Sequence, residues 1–169
     1  MVEGPKRGPA SRAPLFDRLF DLELRQSQEA QPRRTLSRAQ VVDSIQGELV
    51  RLLNTRCADT LDGVQTQERT VVNYGLPDFL TLSPTRERDR QQLAQLITEA
   101  IRAYEPRLRN PVVIATPHPQ RPGVLLLTVE GTLVLDNFAE PVSFPLMIES
   151  RGGAVSVNPQ PADLPAAAV

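Results

Sequence analysis

At Pro106 the hydrophobic period of this chain changes, and that change limits what the chain can fold into. Upstream, Leu93, Leu96, Ile97, Ala100, Ile101 and Tyr104 recur at three- and four-residue spacing, one face of an amphipathic helix. A proline ring pushes the residue before it toward extended backbone, so the helix is expected to end at Tyr104. Downstream the apolar residues alternate two by two, as on strands. Helices first and strands second predict an α+β domain, with N-terminal helices packed on a small antiparallel C-terminal sheet. The joint Tyr104-Glu105-Pro106-Arg107-Leu108 also places two charges. Residues two apart diverge on a helix but share a face in an extended segment, so Glu105 and Arg107 are expected side by side, facing outward. A planar guanidinium beside a carboxylate suits fork-type recognition of a partner's polar groups. On spacing alone the commoner case is a local ion pair tying the helix end to the sheet, because most exposed pairs mark nothing.

The other elements follow from pattern and punctuation. Ser37-Arg38-Ala39-Gln40 fits a capping box, and Val41, Val42, Ile45, Leu49, Leu52 and Leu53 continue it as a helical stripe to about Asn54. Leu15 to Leu22 reads as a short helix after Pro14, and residues 26–34 as a polar linker. Residues 54–73 are polar and weakly patterned, a long loop or partly ordered segment. Tyr74-Gly75-Leu76-Pro77-Asp78-Phe79 is turn chemistry carrying three large apolar side chains, which predicts a docked turn. A second helix is expected from about Thr85 to Tyr104. Strands are expected at 111–115, stopped by Thr116-Pro117-His118-Pro119, then at 124–135, 142–149 and 154–157. Gly131 marks a bulge or close approach within the long second strand, and Asp136-Asn137 and Arg151-Gly152-Gly153 mark turns. Pro145 cannot donate to a ladder, so its strand should lie at an edge or turn Pro145 outward.

Composition excludes several classes. A length of 169 residues suits one domain, here 15–157 between disordered tails at 1–14 and 158–169. Only 4% of residues are aromatic and none is Trp, so bases would find few stacking platforms. A net charge of −1 offers nucleic acid no general attraction. Of 19 basic residues 18 are Arg, and only Arg121 and Arg151 lie beyond residue 110, where Glu130, Asp136, Glu140, Glu149 and Asp163 make the chain mildly acidic. One cysteine, Cys57, allows no internal disulfide and fits a reducing compartment. The N-terminus lacks the apolar core of a signal peptide and no stretch is long enough to insert in a membrane, which reads as cytoplasmic. There is no glycine-rich phosphate loop, and one His with one Cys cannot make a structural metal site, so no cofactor or metal is expected.

Three stretches together resemble a known family. Leu52-Leu53-Asn54-Thr55-Arg56, Tyr74-Gly75-Leu76-Pro77-Asp78-Phe79 and Tyr104-Glu105-Pro106-Arg107-Leu108 occur in the order and at the separations seen in the TssE family of type VI secretion baseplate proteins, within the wider phage baseplate wedge family. Leu15-Phe16-Asp17-Arg18-Leu19 also looks like the start of that family, and the resemblance covers roughly residues 14–150. Two departures stand out: Tyr104 where the pattern has Phe, and Asn110-Pro111 as the opening of the first strand. The resemblance implies a non-catalytic structural subunit that binds TssF and TssG in the baseplate wedge and initiates contractile sheath assembly. Further implied partners are TssK, the sheath proteins TssB and TssC and the inner tube protein Hcp, in a baseplate docked at the inner membrane. It also raises Glu105, Pro106 and Arg107 to partner-binding candidates, with Tyr74, Gly75, Leu76, Pro77 and Asp78 of the turn and Phe144 and Pro145 of the expected edge strand. That edge is either open to an added partner strand or defended against one by Pro145.

The alternative is a lysozyme-like muramidase acting on peptidoglycan, since some relatives carry lysozyme-related names. That chemistry needs two carboxyl groups flanking a sugar cleft, one of them kept protonated. Glu105 is the only acid in a distinctive motif, and the neighbouring guanidinium favours the ionised form. Glu130, beside Val129 and Thr128, is the nearest second candidate. Cys57 and His118 lack the setting of a nucleophile pair; Cys57 reads as a helix-end thiol and His118, between prolines, as a loop tip.

Overall fold

Among the described residues two long helices precede a four-stranded antiparallel sheet, and the chain turns from one to the other around Pro106. The computed structural model describes residues 11–12, 35–61, 63, 69–135, 138–149 and 152–157. The expected tails at 1–14 (Ser11 and Arg12 apart) and 158–169, the helix at 15–22, the linker at 26–34 and the turn at 136–137 lie outside the described residues, as does Arg151 of the turn at 151–153. Strands β1 (Ser11–Arg12) and β2 (Thr35–Leu36) form a separate antiparallel pair.

Helix α1 (Arg38–Asn54) starts at the expected capping box. The Ser37 N–H donates to Gln40 Oε1 at 2.9 Å, and the Gln40 N–H donates to Ser37 Oγ at 3.4 Å. Two of the donors that a helix start leaves open are thereby satisfied. Helix α2 (Glu87–Tyr104) begins with Glu87 and Asp89 in its first turn, where acidic side chains complement the helix dipole. Each helix turns its apolar stripe inward: Val41, Ile45, Leu49, Leu52 and Leu53 from α1, and Leu93, Leu96, Ile97, Ala100 and Ile101 from α2.

Strands β3 (Leu108–Pro117), β4 (Val124–Leu135), β5 (Phe138–Glu149) and β6 (Val155–Val157) follow in the order β3-β4-β5-β6. Leu125, Leu127, Val129 and Leu133 of β4 meet Phe144, Leu146 and Ile148 of β5 on the face covered by the helices. Burying one such side chain stabilises by about 1.5–3 kcal/mol, so this inner face holds most of the favourable free energy of the sheet. Leu126 is equally buried but lies on the opposite face, between Thr116 and Met147 in the register.

The first strand is longer than expected at both ends, and Asn110-Pro111 explains why it is irregular. Between Arg109 and Val112 the register of β3 against β4 shifts, so Asn110 and Pro111 oppose Gly131 as a bulge. Asn110 has φ of 49°, a region that asparagine tolerates better than most residues. Gly131 is needed there: a Cβ on it would lie 2.7 Å from Leu108 Cδ1.

The far end of the sheet is tied to α1 by its last side chain. Asn54 Nδ2 donates to Val155 O at 2.8 Å, and the Val155 N–H donates to Asn54 Oδ1 at 2.9 Å. One side-chain amide thus takes up both backbone groups of Val155 as a neighbouring strand would. Asn54→Ala is expected to lower stability by about 1–3 kcal/mol, the cost of leaving part-buried backbone groups unpaired. Urea unfolding measures it; a change under 0.5 kcal/mol would mean that water replaces the amide there.

Candidate functional site

Pro106 bends the chain out of α2, but the charges beside it are turned inward. Glu105 is 4% exposed. Its carboxylate takes both arms of a fork, Arg107 Nε to Oε1 at 2.7 Å and Arg107 Nη2 to Oε2 at 2.5 Å. The Arg107 N–H adds a third donor to Oε1 at 3.2 Å. Arg107 Nη1 then reaches α1, donating to Ser44 Oγ at 3.2 Å. The backbone is equally engaged. The Glu105 N–H closes the last turn of α2 on Ile101 O, and Arg107 O accepts from the Val134 N–H of β4 at 2.9 Å. The expected outward placement of both side chains is therefore corrected: the pair joins α1, the end of α2 and the start of β3. Proximity at i and i+2 is as read from the extended backbone, but α1 lies where a partner was expected.

The turn at 74–79 docks beside the end of α1. The Leu76 N–H donates to Thr55 O and the Cys57 N–H donates to Leu76 O, both at 2.9 Å, making a short parallel bridge between Arg56 and Leu76. Gly75 has φ of 112°, and a Cβ on it would lie 2.5 Å from Thr55 O, so this close approach requires glycine. Leu76 is fully buried, and Phe79 lies under the Arg56 guanidinium, 4.4 Å from ring centroid to Cζ. Arg56 donates through Nη1 to Leu53 O and through Nη2 to Gly153 O, both at 2.9 Å. Burial shifts the Arg56 guanidinium downward, against the opposing pull of Asp78.

Tyr74 connects this turn to the joint. Its ring meets that of Tyr104 edge-on, with centroids 5.1 Å apart. Burial raises the Tyr74 phenol, and the charge of Glu48 pushes the same way. Burial likewise raises Tyr104, opposed by Arg69. Both stay neutral near pH 7, and the Tyr104 hydroxyl donates to Thr70 O at 2.7 Å. Phe could not make that bond, so the departure at Tyr104 anchors the short 3₁₀ turn Val71–Asn73 within the segment 54–73.

The candidate residues divide by access. Pro106 and Asp78 are exposed, Tyr74, Arg107 and Pro145 are half-buried, and Glu105, Gly75, Leu76, Pro77 and Phe144 are buried. Phe144 and Leu76 belong to the core and act by packing. Pro145 lies on β5, outside the joint. Ser44, Asn54, Arg56 and Tyr104 complete the arrangement; the first had no pattern to announce it, whereas Asn54 and Arg56 stood in a recognised motif without an assigned task.

His118 is corrected from a loop tip to a buried side chain. Its Nδ1 accepts the N–H groups of Gln120 and Arg121, both at 3.1 Å, which shapes the turn between β3 and β4. The backbone of Cys57 belongs to the docked bridge. As for carboxylate chemistry, both oxygens of Glu105 are engaged by Arg107, a poor setting for a proton donor, and Glu130 is exposed on the sheet. Among the described residues no group of His, Cys, Asp and Glu could hold a metal ion.

The family model described as baseplate wedge protein gp25 matches residues 39–137, more than half of the chain. A chain in the solved structure "The baseplate complex from the type VI secretion system" is similar at 19% identity and a TM-score of 0.47, over 63% of this chain and 93% of its own. That likeness is too slight to carry anything across. No curated protein matches the chain.

Proposed function

The chain belongs to the baseplate wedge protein gp25 family, and from that premise we propose that it is the TssE-type subunit of a type VI secretion baseplate wedge. In this reading it binds TssF and TssG, initiates contractile sheath assembly and catalyses no reaction. What carries the reading is the family match at 39–137, which spans all three motifs, together with the way α1 gathers them around one joint. Pro106, the half-exposed side of Arg107, Tyr74 and Asp78 would form the surface that wedge partners touch, while Glu105, Gly75, Leu76 and Pro77 hold it in shape. Phe144 would support the sheet from within. TssK, TssB, TssC and Hcp belong to the same assembly as neighbours. Cytoplasmic placement at a baseplate docked on the inner membrane fits helices of which none, among the described residues, is long and apolar enough to cross a membrane.

Tagged protein drawn from its native cell is expected to bring TssF, TssG and sheath subunits with it. Recovery of none of the three would overturn the assembly role. Recovery of TssF and TssG without sheath would leave a wedge subunit and remove sheath initiation.

A further inference from the structure

Val71 and Val72 are 88% and 85% exposed, and no other large apolar side chain among the described residues stands so far out; Val112 follows at 54%. They occupy the short 3₁₀ turn Val71–Asn73. An apolar residue standing singly on a surface is ordinary, but here two adjacent ones stand on a turn that is held in place. Thr70 caps it: its Oγ1 accepts the Val72 N–H at 3.3 Å, and its hydroxyl donates to Asn73 Oδ1 at 2.9 Å. The Asn73 N–H donates to Thr70 O at 3.0 Å, and Asn73 Nδ2 donates to Asp59 Oδ2. Arg69 Nη1 donates to Gly75 O at 3.3 Å across the base of the turn. The two valines therefore cannot fold back to cover themselves without breaking these bonds.

The turn is also fixed from α2. The Tyr104 hydroxyl donates to Thr70 O, the same carbonyl that closes the turn, while the Tyr104 ring packs edge-on against Tyr74. Tyr104 directly precedes Glu105, so a molecule covering Pro106, Arg107 and Tyr74 also meets the turn. Thr70, Val71, Val72 and Asn73 carry no charge, and their complement is an uncharged, apolar socket. Valine side chains are stiff at χ1 and lose little freedom when covered. Two of them cover far less than the roughly 800 Å² per partner of a stable interface, too little to hold a second copy or a membrane unaided. Their contact extends a larger interface, and the residues bracing the turn place that interface at the joint.

We propose that Val71 and Val72 form a fixed apolar knob, held out by Tyr104, that fills an apolar socket on the wedge partner seated over the joint. The proposal rests on the wedge-subunit reading for the identity of that partner. Phe at position 104 would keep the ring contact with Tyr74 and lose the bond to Thr70, so Tyr104 is a positioning residue for the knob.

Calorimetric binding of the full chain to the purified TssF–TssG complex tests this, each variant's fold being checked by circular dichroism and urea unfolding. The double variant Val71→Ser, Val72→Ser is expected to stay folded and bind about tenfold or more weakly, because both valines are covered only in the complex. Leu80→Ser, at an exposed position outside the turn, should bind as the parent does. Tyr104→Phe should weaken binding about two- to fivefold in the parent and not at all in the double variant, a coupling that a merely structural hydroxyl would not show. Equal weakening in both backgrounds would overturn the positioning by Tyr104. Parent-like binding by the folded double variant would overturn the knob and leave the wedge reading intact. Failure of the parent itself to bind TssF–TssG would overturn both. Self-association of the parent in sedimentation, abolished in the double variant, would identify a second copy as the occupant and overturn the wedge socket.

Discussion

Arg107→Ala is expected to lower the stability of the isolated chain by about 3–5 kcal/mol, because it strands a buried charge. The Glu105 side chain is 5% exposed, against 22% for that of Arg107, so the carboxylate has far less access to water than its partner. Arg107 supplies three donors to that carboxylate, two from the guanidinium and one from the backbone; alanine keeps only the last. The reverse substitution, Glu105→Ala, should cost less, about 1–3 kcal/mol, since the guanidinium left behind can turn toward solvent. Arg107→Lys retains the charge but not the planar fork and should fall between the two. An outward pair would behave oppositely, with an intact fold and loss confined to partner binding. Urea unfolding of the three variants decides: an Arg107→Ala protein as stable as the parent would mean that Glu105 reaches water.

Leu76→Asp should unfold the chain. Truncating a buried Leu costs about 2–5 kcal/mol, and a carboxylate in its place adds a desolvation penalty of several kcal/mol. Together these match the lower half of the roughly 5–15 kcal/mol typical of a domain. Leu76 is fully buried, and its N–H and C=O hold Thr55 and Cys57, so the turn cannot move aside without breaking the bridge to α1. Asp78, two residues on and exposed, provides the contrast: Asp78→Ala loses one bond, from the Leu80 N–H, and should cost under about 1 kcal/mol. Circular dichroism and limited proteolysis separate these results. A folded Leu76→Asp protein that resists cleavage within 74–79 would refute the packing of the turn.

Much of the secondary structure was legible because its signals are local. The capping box at Ser37 and Gln40, the apolar stripes of α1 and α2 and the bounds of β4 need only the side chains within a few turns or residues. Gly131 announced a close approach for the same reason, although not that Leu108 would be the neighbour. The start of β5 at Phe138 lies four residues before the expected 142, because Ala139, Glu140 and Pro141 continue the strand without the apolar alternation that begins at Val142.

Period and punctuation determine which side of an element is apolar and where the chain must turn; they do not determine what comes to lie against the other side. Extended backbone after Pro106 was enough to bring Glu105 beside Arg107. Whether the pair faced water or protein depended on Ser44, 63 residues away from Arg107 on a different helix. The pairing of Val155 in β6 depended on an asparagine 101 residues upstream. The edges of the sheet emerged only from strand order, because a backbone N–H is chemically the same at every position until a neighbouring strand takes it or leaves it free.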